Sequence, residues 1–199
     1  MRHIMFDIET LDVESTAVVL SIAMIEFKLD ETPTYQELLN RAAFVKFNVH
    51  EQILKYKRTV NQSTVDWWKK RSKLVREVSL KPRPDDVSVL EGLEILRQKA
   101  GCRSDFKRNN NVMFWARGGL DQTVFESLCR SVGQTAFTHY SNWRDVRTAV
   151  ELLVEGAVHG YVEVPLIHQD AVAKHDPRCD CAYDIMQLLL NNYRGKESE

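Results

Sequence analysis

A short apolar run near the start of the chain ends in two carboxylates. Residues 4–6, Ile-Met-Phe, lead directly to Asp7 and Glu9, and a short apolar segment ended by polar residues is typical of a β-strand. Residues i and i+2 of a strand point to the same face, so Asp7 and Glu9 are expected to project together. Adjacent carboxylates repel each other and resist joint ionisation. A divalent cation between them would remove that repulsion, whereas a solvated strand end is the simpler interpretation.

Length and composition indicate one globular domain. The chain has 199 residues and a net charge of -1, so it can form one ordinary core, and any contact with nucleic acid must rest on a local patch. Its four cysteines are too few and too unevenly placed for a disulfide framework. No apolar span approaches about 18 residues. We expect a domain over residues 1–194, a polar tail over 195–199, a cytoplasmic location and no membrane partner.

The order of apolar patterns predicts an α/β fold. Short turns join three early strand candidates, which suggests an antiparallel meander, and helical patterns alternate with a further strand later in the chain. Ser63 or Thr64, Asp85 and Asp176 are the expected helix N-caps, and Pro177 suits a first helical position. The expected architecture is a mixed central β-sheet flanked by helices. The predicted strands cover residues 4–6, 18–27, 42–49 and 112–116, and the main helices begin near residues 65, 86, 121 and 177.

Two further acidic residues stand at predicted helix starts. Asp121 follows the fourth strand and a Gly-Gly turn, and Asp180 lies five residues after His175 in the first turn of the last helix. Acidic side chains favour helix N-termini because they complement the helix dipole. That preference alone accounts for each of them. Their order after Asp7 and Glu9 is what points to a site.

The joint pattern resembles the DEDDh 3′-5′ exonucleases of the DnaQ-like, ribonuclease H-related superfamily. Strand-Asp-x-Glu, strand-turn-Asp-helix and His-x4-Asp occur in that order and span almost the whole chain. The sequence is most similar to the exonuclease A-like exoribonuclease branch found in phages and some bacteria. Arg117 departs from the pattern, because many members carry Asn four residues before the second-motif Asp, and Pro177 replaces a small residue. The closer likeness rests on Trp67-Trp68, on Phe114-Trp115-Ala116 and on residues 144–148, Arg-Asp-Val-Arg-Thr.

This resemblance implies a ribonuclease H-like fold and a metal-dependent exonuclease that releases 5′-mononucleotides from single-stranded RNA or DNA. It implies two Mg²⁺ or Mn²⁺ ions, which suit oxygen ligands. Asp7 would bridge the ions, Glu9 and Asp180 would complete the site of the attacking water, and Asp121 would hold the other ion. His175 would accept the proton of that water, since a His pKa near about 6.5 suits a base near neutral pH.

Substrate contacts are expected beside the carboxylates. The backbone around Thr10 and Leu11 is the expected cradle for the terminal nucleotide. Trp67 and Trp68 are adjacent on a helix, so they cannot both face the core, and one of them, assigned as Trp68, could stack on a base; packing is the alternative. A basic run could follow phosphates or could be a solvated face. The run comprises Lys69, Lys70, Arg71, Lys73, Arg76, Lys81 and Arg83.

Two other functions fit the same residues. The chain could hydrolyse dinucleotides or other small phosphoesters, or it could be a non-catalytic nucleic-acid-binding module that keeps the fold. All five expected site residues are present, which argues against the latter. No motif separates RNA from DNA, because that choice depends on contacts to the 2′-hydroxyl. A homodimer is plausible for a chain of this size.

Overall fold

A mixed five-stranded sheet forms the centre of the protein. The computed structural model describes residues 1–102, 111–165 and 173–197. Within these ranges the strand order is third, second, first, fourth, fifth, which confirms the α/β, ribonuclease H-like class. The strands are β1 (Arg2–Thr10), β2 (Val19–Phe27), β3 (Ala43–Lys46), β4 (Val112–Ala116) and β5 (Trp143–Asp145).

The carboxylate-bearing strand β1 is the central one. It pairs antiparallel with β2, with Asp7 opposite Ala23, and parallel with β4, with Met5 opposite Trp115. β2 also pairs antiparallel with β3, so the predicted antiparallel arrangement of the first three strands is confirmed. The register between β1 and β2 shifts between Glu9 and Thr10. A bulge of this kind bends a strand and re-aims its side chains, here directly after the two carboxylates.

Helices cover both faces of the sheet. The described helices are α1 (Tyr35–Arg41), α2 (Val49–Leu54), α3 (Gln62–Lys69), α4 (Lys73–Val75), α5 (Val89–Lys99), α6 (Leu120–Ser131), α7 (Val146–Leu153), α8 (Pro177–Leu188) and α9 (Leu190–Glu197). A π-helical turn, Arg76–Leu80, continues α4, and a 3₁₀ turn, Tyr140–Asn142, precedes β5. None of the described helices is long and apolar enough to cross a membrane.

Alternation along β1 divides the core in two. Ile4, Phe6 and Ile8 belong to the cluster under α5 and α6, whereas Met5 belongs to the cluster under α1, α7 and α8. Because side chains alternate along a strand, Asp7 and Glu9 share the face of Met5 and point toward α8. A third cluster packs α3 against the start of β2. All four cysteines are buried.

Several predicted boundaries need correction. Residues 28–34 do lead into a turn, but α1 follows, and it was not predicted because Leu38 is its one buried residue. Asn61, rather than Ser63 or Thr64, caps α3, and Ser88, rather than Asp85, caps α5. These stretches offer several capping residues in a row, and propensity alone does not choose among them.

The start of α8 agrees with the prediction, whereas the end of α9 differs from it. Asp176 caps α8 and Pro177 is its first residue, as the sequence predicts. The predicted polar tail from residue 195 is instead helical through Glu197, so the expected boundary at residue 194 does not coincide with a helix end. Residues 198–199 of that tail lie outside the described residues.

Candidate active site

The end of β1 carries the first two carboxylates of the site. Asp7 and Glu9 line one cavity of ≈ 470 Å³ together with side chains from α6, α8 and the segment before α8. Glu9 is buried and Asp7 is half-buried. The sheet therefore presents both groups to one cavity, and the interpretation of Asp7 and Glu9 as a fully solvated strand end does not fit.

The turn between β4 and α6 brings Asp121 to the same place. Gly118 adopts a φ of +91°, which L side chains rarely adopt, and its N–H donates to Asp145 Oδ2 at 2.7 Å. Asp121 then lies in the first turn of α6 and is buried. The backbone of Ile8, between the first two carboxylates, hydrogen-bonds to it. The second motif thus contacts the first motif directly.

Asp180 and His175 complete the cluster. The backbone N–H of His175 donates to Asp180 Oδ2 at 2.7 Å, and His175 Nδ1 lies 4.0 Å from Glu9 Oε1. One potential ligand atom from each of Glu9, His175 and Asp180 lies within 4.8 Å of the other two. The structure therefore brings together Asp7, Glu9, Asp121, His175 and Asp180, as the order of motifs predicts.

The backbone of His175 is held by a segment that the sequence does not reveal. His175 has a φ of +71°, a conformation that is costly for a residue with a side chain and that clusters at functional sites. Its carbonyl accepts a 2.8 Å hydrogen bond from Ser79 Oγ. The carbonyl of Ser79 in turn accepts one from Lys46 Nζ at 2.7 Å. Ser79 stands in the π-helical turn, a type of irregularity that is frequent at functional sites.

Burial and mutual repulsion raise the pKa values of the carboxyl groups. For Asp7, burial is the largest cause and Glu9 the next; for Glu9, burial is followed by Asp180. Burial and Asp184 raise the pKa of Asp121, against the hydrogen bond from Ile8. Burial likewise raises the pKa of Asp180 to about 7. The protein alone does not accommodate the full negative charge at neutral pH, which is the condition under which a bound cation is most favourable.

The environment of His175 shifts its pKa in the opposite direction. Burial lowers the pKa of the imidazole below its ordinary value, and the positive charges of Arg71 and Lys174 lower it further. The ring is therefore neutral at neutral pH and can accept a proton. Neutral imidazole and carboxylate oxygens are also ligands of divalent cations, so the donor set of the cluster fits Mg²⁺ or Mn²⁺.

A fifth carboxylate, Asp184, was missed by the sequence reasoning. It lies one turn after Asp180 on α8 and lines the same cavity. Arg117 Nε lies 3.0 Å from both of its oxygens, and another guanidinium nitrogen of Arg117 lies 2.8 Å from Oδ1. The i, i+4 spacing after Asp180, together with the unusual Arg117, was the available signal. Arg117, which stands where many family members carry Asn, is therefore the ion-pair partner of Asp184.

The aromatic assignment changes within the Trp67–Trp68 pair. Trp68 is 1% exposed, and its Nε1 donates to the carbonyl of Thr10 at 2.8 Å. A buried ring offers no face to a base, so the assignment of Trp68 as a substrate contact does not fit this structure. Trp67 is 37% exposed, and its ring centroid lies 4.7 Å from that of His175. Trp68 supports the strand end, and Trp67 borders the site.

Of the two residues predicted to hold the terminal nucleotide, Thr10 and Leu11, only Thr10 lines a cavity in the structure. Thr10 lines a second cavity of ≈ 520 Å³, and this cavity shares Ile8, Glu9 and Leu120 with the first. Leu11 is buried, its N–H donates to Val18, and its carbonyl accepts from Asn61. Its backbone groups are already used, so the assignment of Leu11 to the cradle does not fit.

The basic run starts at the edge of the site. Lys69 pairs with Asp66 at 3.0 Å, and the guanidinium of Arg71 lies 4.2 Å from the centroid of the Trp67 ring. Lys70 is exposed at the end of α3. Within the described ranges, Lys69 and Lys81 form ion pairs and Arg71 and Arg83 donate to backbone carbonyls, whereas the side chains of Lys70, Lys73 and Arg76 have no such partner. They are the cations most available to a phosphate backbone.

The mixed sheet, with β1 as its central strand, is that of the ribonuclease H-like fold of DnaQ-like 3′-5′ exonucleases. Residues 2–184 match the 3′-5′ exoribonuclease Rv2179c-like domain. This match covers most of the chain, and the chain belongs to that family. It is also 26% identical over 211 aligned residues to an exodeoxyribonuclease of Enterobacteria phage T4, an alignment that covers 94% of this chain and 88% of the relative. The comparisons confirm the class of enzyme indicated by the sequence motifs.

Proposed function

We propose that the protein removes 5′-mononucleotides from the 3′ end of single-stranded nucleic acid with two bound Mg²⁺ or Mn²⁺ ions. The observation that supports this most strongly is the convergence of Asp7, Glu9, Asp121 and Asp180 on one cavity beside His175. Two of these carboxylates, Glu9 and Asp121, are buried, and a bound cation accounts for the placing of so many acidic groups in one space. The membership in a 3′-5′ exoribonuclease domain family supplies the direction of attack on the chain.

The carboxylates of Asp7, Glu9, Asp121 and Asp180 would hold the ions. When bound, divalent cations stabilise the negative charge on the attacking and leaving oxygens of a phosphodiester. Glu9 and Asp180 lie beside His175, and Asp121 lies on α6 in the same cavity. Because Asp121 is fixed by the Ile8 backbone and Asp180 by the His175 backbone, the acidic groups are held before a substrate arrives. Such pre-organisation lowers the reorganisation required in the transition state.

His175 would be the general base. Its imidazole is half-buried, neutral at neutral pH and 4.0 Å from Glu9, so it can take a proton from a water molecule placed between the carboxylates and the ring. The oxygen of that water would form a bond to the phosphorus while the bond from phosphorus to the 3′-oxygen of the preceding nucleotide breaks. The 3′-oxygen would take up a proton from solvent, and the partly exposed imidazole would release its proton to solvent.

The second cavity is the proposed seat of the 3′-terminal nucleoside. Thr10 and Trp67 lie on its walls, with Leu120 where it meets the carboxylates. A nucleoside there places its 5′-phosphate beside Asp7 and Glu9. The preceding nucleotides of the bound strand would extend along α3 toward Lys70, Lys73 and Arg76. Lys69 and Arg71 would lie where this strand enters the second cavity. These contacts are sequence-tolerant, as expected of a processing exonuclease.

Digestion of end-labelled oligomers tests this function. Matched single-stranded RNA and DNA, labelled at the 5′ or the 3′ end, are incubated with Mg²⁺, Mn²⁺ or EDTA. We expect shortening from the 3′ end with a divalent ion and none with EDTA. The Asp7→Ala and Asp180→Ala variants must lose the activity while they keep the wild-type circular dichroism spectrum, which excludes a contaminating nuclease. The family name refers to RNA and the phage relative to DNA, so the two oligomers are compared directly.

The alternative of a small-phosphoester hydrolase is separated by chain length. If the substrate is a polynucleotide, the variant with Lys70, Lys73 and Arg76 replaced by Gln raises KM for a long oligomer and leaves KM for a dinucleotide unchanged. A preference for dinucleotides in the wild type, with no effect of the triple variant on either substrate, supports the small substrate instead. Sedimentation of the same preparation tests the proposed homodimer.

A further inference from the structure

Arg117 and Asp184 form a buried pair at the rim of the acidic cavity. Asp184 lies on α8 one turn after Asp180, and both side chains line the cavity with Asp7 and Asp121. Two guanidinium nitrogens of Arg117 bond to Asp184. These bonds occupy both oxygens of Asp184. Without Arg117, Asp184 would keep its 3.1 Å hydrogen bond from Gln187 Nε2 but would be one more carboxylate without an ion-pair partner in the same space.

The orientation of Arg117 is fixed from a third part of the chain. Its remaining nitrogen donates to the carbonyl of Gly160 at 2.8 Å, and the guanidinium lies 5.6 Å from the centroid of the Tyr161 ring. Arg117 therefore connects the turn before α6, the helix α8 and the segment around Gly160. A planar guanidinium with five donors can make such contacts, whereas a lysine cannot.

Arg117 differs from the other cations of the cavity because it forms an ion pair. Five carboxylates line the cavity, namely Asp7, Glu9, Asp121, Asp180 and Asp184, and so do Arg117, Arg147 and Lys174. Within the described ranges, Arg117 is the only one of these three cations in an ion pair with one of the five carboxylates. We propose that Arg117 is a positioning residue that withholds Asp184 from metal binding, so that four carboxylates remain for two ions. This inference rests on the proposed function.

A purely structural pair makes a different prediction. If the pair only stabilises the fold, replacing either partner lowers stability and leaves the intrinsic affinity for metal unchanged. If the pair sets the charge of the site, the two single replacements act in opposite directions. Arg117→Gln adds a free carboxylate to the site, and Asp184→Asn leaves an unbalanced cation beside it.

Titration of the metal-free protein with Mn²⁺ by calorimetry distinguishes the two. We expect Arg117→Gln to bind Mn²⁺ at least about tenfold more tightly than the wild type, and Asp184→Asn at least about tenfold more weakly, because each changes the charge of the cavity in which the carboxylates would hold the ions. The double variant is expected to return to wild-type affinity. Asp184→Asn keeps the shape of the side chain, and the double variant removes the unpaired charge of both singles, so at least these two variants are expected to fold.

The outcomes separate this inference from the proposed function. Equal affinity in the wild type, in Asp184→Asn and in every other variant that folds overturns the role of Arg117 and leaves the metal site intact. Weaker binding in all three variants overturns it as well, because a net effect of charge requires the double variant to recover. If the wild type itself binds no Mn²⁺, the proposed metal-dependent function fails first.

Discussion

The ring of Trp67 packs edge to face against the ring of His175, with centroids 4.7 Å apart and planes at 79°. Arg71 lies over the same indole at 4.2 Å. The general base proposed for the reaction is thus positioned by an aromatic side chain of α3 and by a cation from the basic run. Residues that the sequence suggests as substrate contacts also support the catalytic group.

Removal of the Trp67 ring is expected to affect turnover. In Trp67→Ala, His175 loses its packing partner, and we expect kcat to fall about tenfold or more, since small displacements of a catalytic group are costly. Trp67→Phe keeps an aromatic edge and should retain most of the activity. Steady-state kinetics on a short oligomer measure this, with the exposed Leu152→Ala as control. A rise in KM at constant kcat would indicate instead that Trp67 only stacks on the substrate.

The charge of Arg71 is expected to set the acid limb of the pH profile. Burial, Arg71 and Lys174 lower the pKa of His175, so removing one cation raises that pKa and protonates the base at a higher pH. Arg71→Gln should therefore move the acid limb of kcat/KM to higher pH, while Arg71→Lys should leave it near the wild-type position. The measurement is kcat/KM against pH. If the acid limb of kcat/KM stays at the wild-type pH in Arg71→Gln, that limb does not report the titration of His175.

Replacement of His175 distinguishes a base from a metal ligand. The ring lies close enough to Glu9 and Asp180 for either role. As a base, His175→Ala should lower kcat by about 10²- to 10⁴-fold and keep the Mn²⁺ affinity measured by calorimetry. Asp180→Asn, the matched control, should lose both. Loss of Mn²⁺ affinity in His175→Ala equal to that in Asp180→Asn would make His175 a ligand.

The metal-free protein is expected to lose stability as pH rises. The pKa of Asp180 is raised from 3.8 to about 7 in the folded state, mainly by burial, so between these values the folded state binds a proton that the unfolded state has released. Stability from this group is then fully present below pH 3.8 and is lost as pH approaches 7. The loss is of the order of a few kcal/mol, in the same direction for Asp7, Glu9 and Asp121.

Urea unfolding in EDTA at several pH values measures this effect. Asp180→Asn is neutral throughout and should show a flatter profile than the wild type, and saturating Mn²⁺ should reverse the slope of the wild type. If the free energy of unfolding of the wild type falls between pH 5 and 7 no more steeply than that of Asp180→Asn, the raised pKa of Asp180 is contradicted.

Much of the fold follows from local patterns, and the differences have physical causes. The strands β1, β2 and β4 are buried on both sides and read as apolar runs, so the sequence indicates them clearly. Helix α1 has one buried residue, Leu38, and such a helix has almost no apolar periodicity to detect. β5 has three residues, too few for a strand pattern.

Some residues of the site are likewise visible in the sequence, whereas others are revealed only by the folded structure. Asp7, Glu9, Asp121, His175 and Asp180 stand at ends of elements, where polar residues after apolar runs are visible in the sequence. Asp184 and Ser79 act through tertiary partners, Arg117 and the carbonyl of His175. A pairing between residues far apart in the chain has no local pattern, so only the folded structure reveals it. The exposure that separates Trp67 from Trp68 is likewise a tertiary property.

The most direct test of the central claim is single-turnover hydrolysis in water enriched in oxygen-18. A single-stranded oligomer is incubated with the enzyme and Mn²⁺, and the released nucleotide is analysed by mass spectrometry. We predict one oxygen-18 atom in the phosphate of a 5′-mononucleotide, a 3′-hydroxyl on the shortened chain, and no product from Asp7→Asn or in EDTA. Release of a 3′-phosphate, or the same rate in EDTA as with Mn²⁺, would contradict it.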